Sequence, residues 1–315
     1  MKCFVSLLGR SHVPCIPKNT RWKQNATTVA GGNGEGNGLN QLSWPCGMYV
    51  DHDQTIYVPD TKNHRIVEWK KGASVGRVVA GGNGPGNRND QLDHPVKVLI
   101  DEESDSFIIS DRDNHRVVRW PRRNGTSGQI IISNINCEGL ALNNNGDLFV
   151  ANVAKHEVRQ WKKGEQDARL VAGGHGYGNG PNQLTRPYYL FLDEDQSVYT
   201  SDEDNDRVMK WDRGAEEGIV VAGGNDRGSK TSQFHRPCGL IVDQRETIYI
   251  ADLGNDRVMR WYKGSSDGSI IVGENGRGTE ENQFNEPVEL SFDQENNLYV
   301  VDRWNHRVQK FEVDV

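Results

Sequence analysis

The sequence predicts an all-β fold: a six-bladed β-propeller of four-stranded blades, closed by an outer strand taken from the N-terminal side. Three observations predict it. One ten-residue segment recurs six times, and the chain between the copies reads as short β strands separated by turn residues. The last copy is followed by too little chain for a fourth strand, while a matching strand stands near the beginning.

The recurring segment is DTKNHRIVEW ending at Trp69, DRDNHRVVRW at Trp120, NVAKHEVRQW at Trp161, DEDNDRVMKW at Trp211, DLGNDRVMRW at Trp261 and DRWNHRVQKF at Phe311. Its leading residues, Asp60, Asp111, Asn152, Asp202, Asp252 and Asp302, are 51, 41, 50, 50 and 50 residues apart. Such a period is that of stacked or radial repeats, each of which needs its neighbours to bury its apolar face. Within a unit, β-branched and aromatic residues alternate or run in short blocks bounded by Gly, Asn and Asp, which is strand patterning. In the fifth unit the expected strands are 239–242, 247–250, 257–261 and 269–272, from innermost to outermost. The sixth unit ends after three. Residues 27–30 match the outermost strands of other units and are expected to pair with 308–311, which removes two open sheet edges. Residues 1–26 are then an N-terminal extension, read as a degraded signal or a disordered segment, and 27–315 the propeller.

Composition narrows function by exclusion. The 315 residues include 35 glycines and carry a formal net charge of -7, and no apolar run reaches the roughly 20 residues needed to span a bilayer as a helix. An acidic chain is a poor ligand for phosphate backbones. The five cysteines, Cys3, Cys15, Cys46, Cys137 and Cys238, lack the dense spacing of a disulfide framework. Sequons at Asn25 and Asn124 favour an extracellular over a cytoplasmic location.

The combination of an inner strand opened by proline or a small residue, a second strand ending in (L/I)-Y-(V/I)-x-D and a following N-(H/D)-R-(I/V) resembles the NHL repeat, over about residues 27–315. The resemblance implies a closed propeller with partners or ligands on its loops or at its hub. Some propellers of this type bind RNA on a basic face. Here acidic residues outnumber basic ones on the loops and turns of the equivalent face, so nucleic acid is not expected.

The paired residues of each turn, such as Asp60 with Arg65 or Asp252 with Arg257, recur at one spacing, which favours a structural role: the carboxylate caps the turn and the guanidinium lies against it. In the third unit both members change together, to Asn152 and Glu157. The glycine-rich segments at 30–37, 80–87 and 172–179 look like phosphate loops but run into an inner strand rather than a helix, so they are expected to be blade-to-blade crossovers. The crossover between the second and third units is missing. The face carrying the turns is the candidate binding face, with His64, Arg65, His115, Arg116, His156, Arg207, Arg257, His306 and Arg307. Its histidines, on separate blades, are expected to ring the face as solvated turn residues rather than converge on a metal.

One constellation points to chemistry. The residues opening the inner strands surround the hub, and among them Cys46, Glu138 and Cys238 recur on every second blade, with Tyr188 nearby. Thiolates and a carboxylate can hold a divalent metal, zinc or calcium. Peptidylglycine amidating lyase, an NHL-like propeller, holds zinc through histidines at similar strand starts, and this chain has none there. The leading expectation is therefore a non-enzymatic, monomeric binding propeller for a protein, peptide or glycan. The alternative is a metal-dependent lyase or hydrolase working in the central channel.

Overall fold

A computed structural model of the chain describes residues 13–314. It contains six antiparallel sheets of four strands each. Among the described residues the only helical segments are six single 3-10 turns, Thr61–Asn63, Arg112–Asn114, Val153–Lys155, Glu203–Asn205, Leu253–Asn255 and Arg303–Asn305. Each joins the second strand of a blade to the third. In the fifth blade the strands are Pro237–Val242, Ile248–Asp252, Arg257–Trp261 and Ser269–Val272, within two residues of the expected bounds.

Burial follows from radial packing. The second strand of each blade is covered on both faces by neighbouring blades, so every residue of Ile56–Asp60, Val198–Asp202 and Leu298–Asp302 is buried. The outermost strands leave one side in water, as in Ile219–Gly223. Between blades the core is filled by Trp69, Trp120, Trp211, Trp261 and Phe311, the residues that end the repeat, each at most 2% exposed. Fully burying one such aromatic stabilises by about 2–3 kcal/mol, and the repeat supplies it at every seam but one. Trp161, ending the third unit, is only partly buried.

The ring closes as expected. Thr27–Gly31 pairs antiparallel with Arg307–Phe311, placing Thr27 opposite Lys310 and Ala30 opposite Val308. The chain ahead of this strand does more than the sequence suggested. Trp22 bridges to Val313, and Ile16, Trp22 and Ala26 join Tyr249, Phe284, Leu290 and Phe311 in one apolar cluster. The Trp22 indole N–H also donates to the Asn296 carbonyl at 2.9 Å. Residues 13–26 are thus a strap across the fifth and sixth blades, a correction to their reading as a separate extension. The short apolar stretch at 1–9 and Cys3 lie outside the described residues. Cys15 is disulfide-bonded, whereas Cys46, Cys137 and Cys238 are free and buried. Asn25 and Asn124 are both exposed.

Candidate functional site

The loop face is organised by one repeated device. In five blades the aspartate ending the second strand is completely buried, and its two oxygens face different tasks. In the fifth blade Asp252 Oδ1 accepts the His235 backbone N–H at 2.8 Å, while Oδ2 accepts Asn255 Nδ2 and Arg257 Nε, both at 2.7 Å. The terminal nitrogens of Arg257 then donate to the carbonyls of Ser229, Lys230 and Gln233 in the crossover loop. Arg65, Arg116, Arg207 and Arg307 repeat this pattern on Asn37 and Gly38, on Asn87, on Asn179 and on Thr279.

These five arginines are therefore not partner-facing, a correction to their place on the candidate binding face. They are 4–8% exposed and their donors are spent inside the protein. A buried carboxylate requires such pairing, and five crossover loops are anchored as a consequence. The third blade shows why its pair differs. Only three residues, 134–136, separate its inner strand from the blade before it, so no loop carbonyl awaits a guanidinium. Glu157 instead accepts from Arg159, at 2.6 and 3.1 Å.

The crossover glycines are backbone devices, as expected. A Cβ on Gly31, whose φ is +67°, would lie 2.3 Å from the His306 carbonyl oxygen. One on Gly228 would lie 2.2 Å from Gln233 Oε1, the side chain that closes the loop on the Asn225 carbonyl.

His64, His115, His156, Asp206, Asp256 and His306 end the six 3-10 turns in the left-handed region, at φ between 50 and 55°. Five of them reach the next blade. Nδ1 of His306, His64 and His156 accepts the backbone N–H of Trp44, His94 and Arg186 at 3.2, 3.2 and 3.4 Å. Asp206 and Asp256 accept those of Arg236 and Glu286 through Oδ1 at 2.8 and 2.9 Å. Histidine and aspartate alternate because the position needs an acceptor and a side chain tolerant of positive φ. Burial pushes His64 and His306 below the ordinary imidazole range, which favours the neutral, accepting ring. Only His115, facing the missing crossover, lacks this bond and is exposed. The expected ring of solvated histidines is thus a set of inter-blade clamps.

At the hub, Cys46, Glu138, Tyr188 and Cys238 are all buried. Tyr188 and Cys238 pack in one cluster with Tyr189, Met48 and Val288, which occupies the axis. The Tyr189 hydroxyl donates to the Cys46 carbonyl across the channel, and Lys97 pairs with Glu289 below. Burial pushes the Cys46 and Cys238 thiols up and raises Glu138 to about 7. Glu138 Oε2 is buried without a hydrogen-bond partner. The expected metal triad does not assemble. Among the described residues one group brings three ligand atoms within 4.8 Å of one another, and it is His64, Asp93 and His94. Cys46, Glu138 and Cys238 stand apart because the aromatic cluster fills the space between them. Asp93 and His94, two residues the repeat pattern did not single out, were legible only by comparing the positions just before each inner-strand proline.

The family model of the NHL repeat matches residues 284–311, the sixth unit, and five further blades share its geometry. The sixth unit thus matches the NHL repeat, and the chain is a six-bladed β-propeller. Comparison of its sequence with curated proteins returned no match. Among solved structures this propeller is similar to a protein of unknown function from Bacteroides thetaiotaomicron, at 16% identity and a TM-score of 0.73, over 92% of this chain and 76% of that one. It is also similar to an auxiliary nutrient-binding protein from the same organism, at 16% identity and a TM-score of 0.72, over 94% and 78% of the two chains. A third likeness is to XC5397, a gluconolactonase from Xanthomonas campestris, at 14% identity and a TM-score of 0.63, over 96% of each chain. At these identities the likeness is one of fold, and propellers of this fold serve different functions.

On the loop face of the propeller two aromatic side chains meet at the seam of the sixth and first blades. The rings of Trp44 and Trp304 lie 4.3 Å apart, with Lys62 Nζ 4.1 Å from the Trp44 ring centre. Trp304 is 42% exposed, and on another blade of the same face Tyr177 is 71% exposed beside His156. A groove of about 520 Å³ opens nearby, bounded by Lys62, His64 and the 82–84 loop.

Proposed function

We propose that this propeller is a non-enzymatic binding module whose loop face receives a protein, peptide or glycan partner. The observation that carries the reading is the Trp44–Trp304 pair. The recurring arginines and five of the six turn-ending residues have structural bonds to make, whereas Trp304 occurs in one turn only and leaves a large aromatic surface in water. Aromatic faces rimmed by cations are suited to stacking against sugar rings and extended peptides. The arginine-anchored loops hold that surface rigid, which lowers the ordering cost of association.

Likeness to a nutrient-binding protein supports ligand binding as a use of this fold, and likeness to a gluconolactonase keeps catalysis as the competing reading. Glycan and peptide arrays probed with the wild-type chain and with Trp304→Ala test the proposal. Binding that falls at least about tenfold in the variant, with unchanged thermal unfolding, supports it. Equal binding by both proteins, or turnover of a lactone or another small substrate, overturns it.

A further inference from the structure

We propose that the seam between the first and second blades is a divalent metal site, held by His64, Asp93 and His94 and suited to zinc. Asp93 Oδ1 lies 3.1 Å from His64 Nδ1 and 2.9 Å from His94 Nδ1, and Asp113 Oδ2 lies 2.9 Å from the same His94 nitrogen. Donor atoms of a tetrahedral zinc centre with bonds near 2.0–2.1 Å stand about 3.3 Å apart. Two imidazoles and a carboxylate form a borderline-soft set that zinc favours and calcium does not. The side chains of His64, Asp93 and His94 are 14, 27 and 33% exposed, which leaves an ion a path from solvent.

Hydrogen bonding alone leaves this cluster frustrated. His64 Nδ1 faces the His94 backbone N–H at 3.2 Å, which calls for a lone pair, and the Asp93 carboxylate at 3.1 Å, which calls for a proton. Either tautomer makes one repulsive contact. A cation replaces the repulsion between the His64 Nδ1 lone pair and the Asp93 carboxylate with two metal bonds, in exchange for the weaker bond from the His94 N–H. The equivalent clamp at His306 has no such conflict, since its nearest carboxylate, Glu35, stands 3.9 Å away at Nε2.

The fold does not require these residues. The pair ahead of the inner-strand proline is Ser43-Trp44, Thr185-Arg186, His235-Arg236 and Asn285-Glu286 in other blades, and only at Asp93-His94 does it bring ligands to a histidine clamp. The assignment does not rest on the partner reading, and His64 also borders the groove of the same face.

The same comparison supplies the test. Asp93→Asn with His94→Arg installs side chains that occupy the equivalent positions at Asn285, Arg186 and Arg236, where Arg186 and Arg236 also have positive φ. Equilibrium dialysis of the purified chain against zinc chloride is expected to show one ion per chain, weakened at least about a hundredfold in the double variant. Zinc should raise the unfolding temperature of the wild type only. If the double variant folds poorly, Asp93→Ser, matching Ser43, serves in its place. Cobalt(II) loading should give visible bands without intense near-ultraviolet thiolate absorption. No near-stoichiometric binding, equal binding by the variants, or a thiolate signature pointing to Cys46 and Cys238 would overturn the assignment.

Discussion

Arg257 Nε donates to Asp252 Oδ2 at 2.7 Å inside the fifth blade, and the same guanidinium holds three carbonyls of the loop that brings the chain into that blade. One side chain therefore joins a turn, a strand end and a crossover. The pair and the loop disappear together in the third blade, where three residues replace the crossover. This coupling turns a sequence repeat into a rigid rim.

Arg257→Ala should cost about 3–5 kcal/mol, because it leaves the Asp252 carboxylate buried without its counter-charge. Arg257→Lys should recover only part, since an ammonium cannot serve the carboxylate and three carbonyls from one planar fork. Urea unfolding of both variants checks the order. A lysine variant as stable as the wild type would show that the loop contacts contribute nothing.

Glu138 should make stability fall as pH rises. Its native pKa, raised by burial to about 7, lies above the ordinary 4.5, so between those values the native state holds a proton that the unfolded state has released. Stability attributable to protonated Glu138 is present below about pH 4.5 and lost as pH passes through about 7. Glu138→Gln removes this dependence and should gain on the order of 2–3 kcal/mol relative to wild type between acid and about pH 8. Parallel stability profiles for the two proteins from pH 5 to pH 8 would contradict a desolvated carboxyl at this position.

The N-terminal strap should matter as much as the closing strand. Trp22, 3% exposed between the fifth and sixth blades, should cost about 3–5 kcal/mol on replacement by alanine. Removal of residues 1–20 deletes Ile16, 1% exposed, and should lower the unfolding temperature. Removal of 1–30 also opens two sheet edges and should cause aggregation. A 1–20 truncation as stable as the full chain would mean that the strap packs without stabilising.

Much was legible in the sequence because a propeller blade is a local object. Strand alternation recurs in all six units, and the Asp-to-Arg turn and the terminal tryptophan in five each, all within about fifty residues of chain, so every copy corrects the reading of the others. The missing fourth strand and its donor at residues 27–30 were visible for the same reason. The roles of individual side chains were less legible, since a motif gives a residue's position and not what lies across the seam. The arginines read as partner-facing are turned inward by loop carbonyls 24–29 residues away.

By itself the sequence determined the number of blades, the direction of closure and the structural nature of the repeated turn, because repetition and hydrophobic period encode them redundantly. Only the tertiary structure decided which polar groups meet. The closing of the ring sets Trp44 against Trp304, 260 residues away in the chain, and adjacent blades bring His64 onto Asp93 and His94. It also filled the hub with Tyr188 and Tyr189, parting Cys46, Glu138 and Cys238. Such contacts depend on side-chain volume and on distances of a few ångströms between separate sheets, which no spacing along a single chain records.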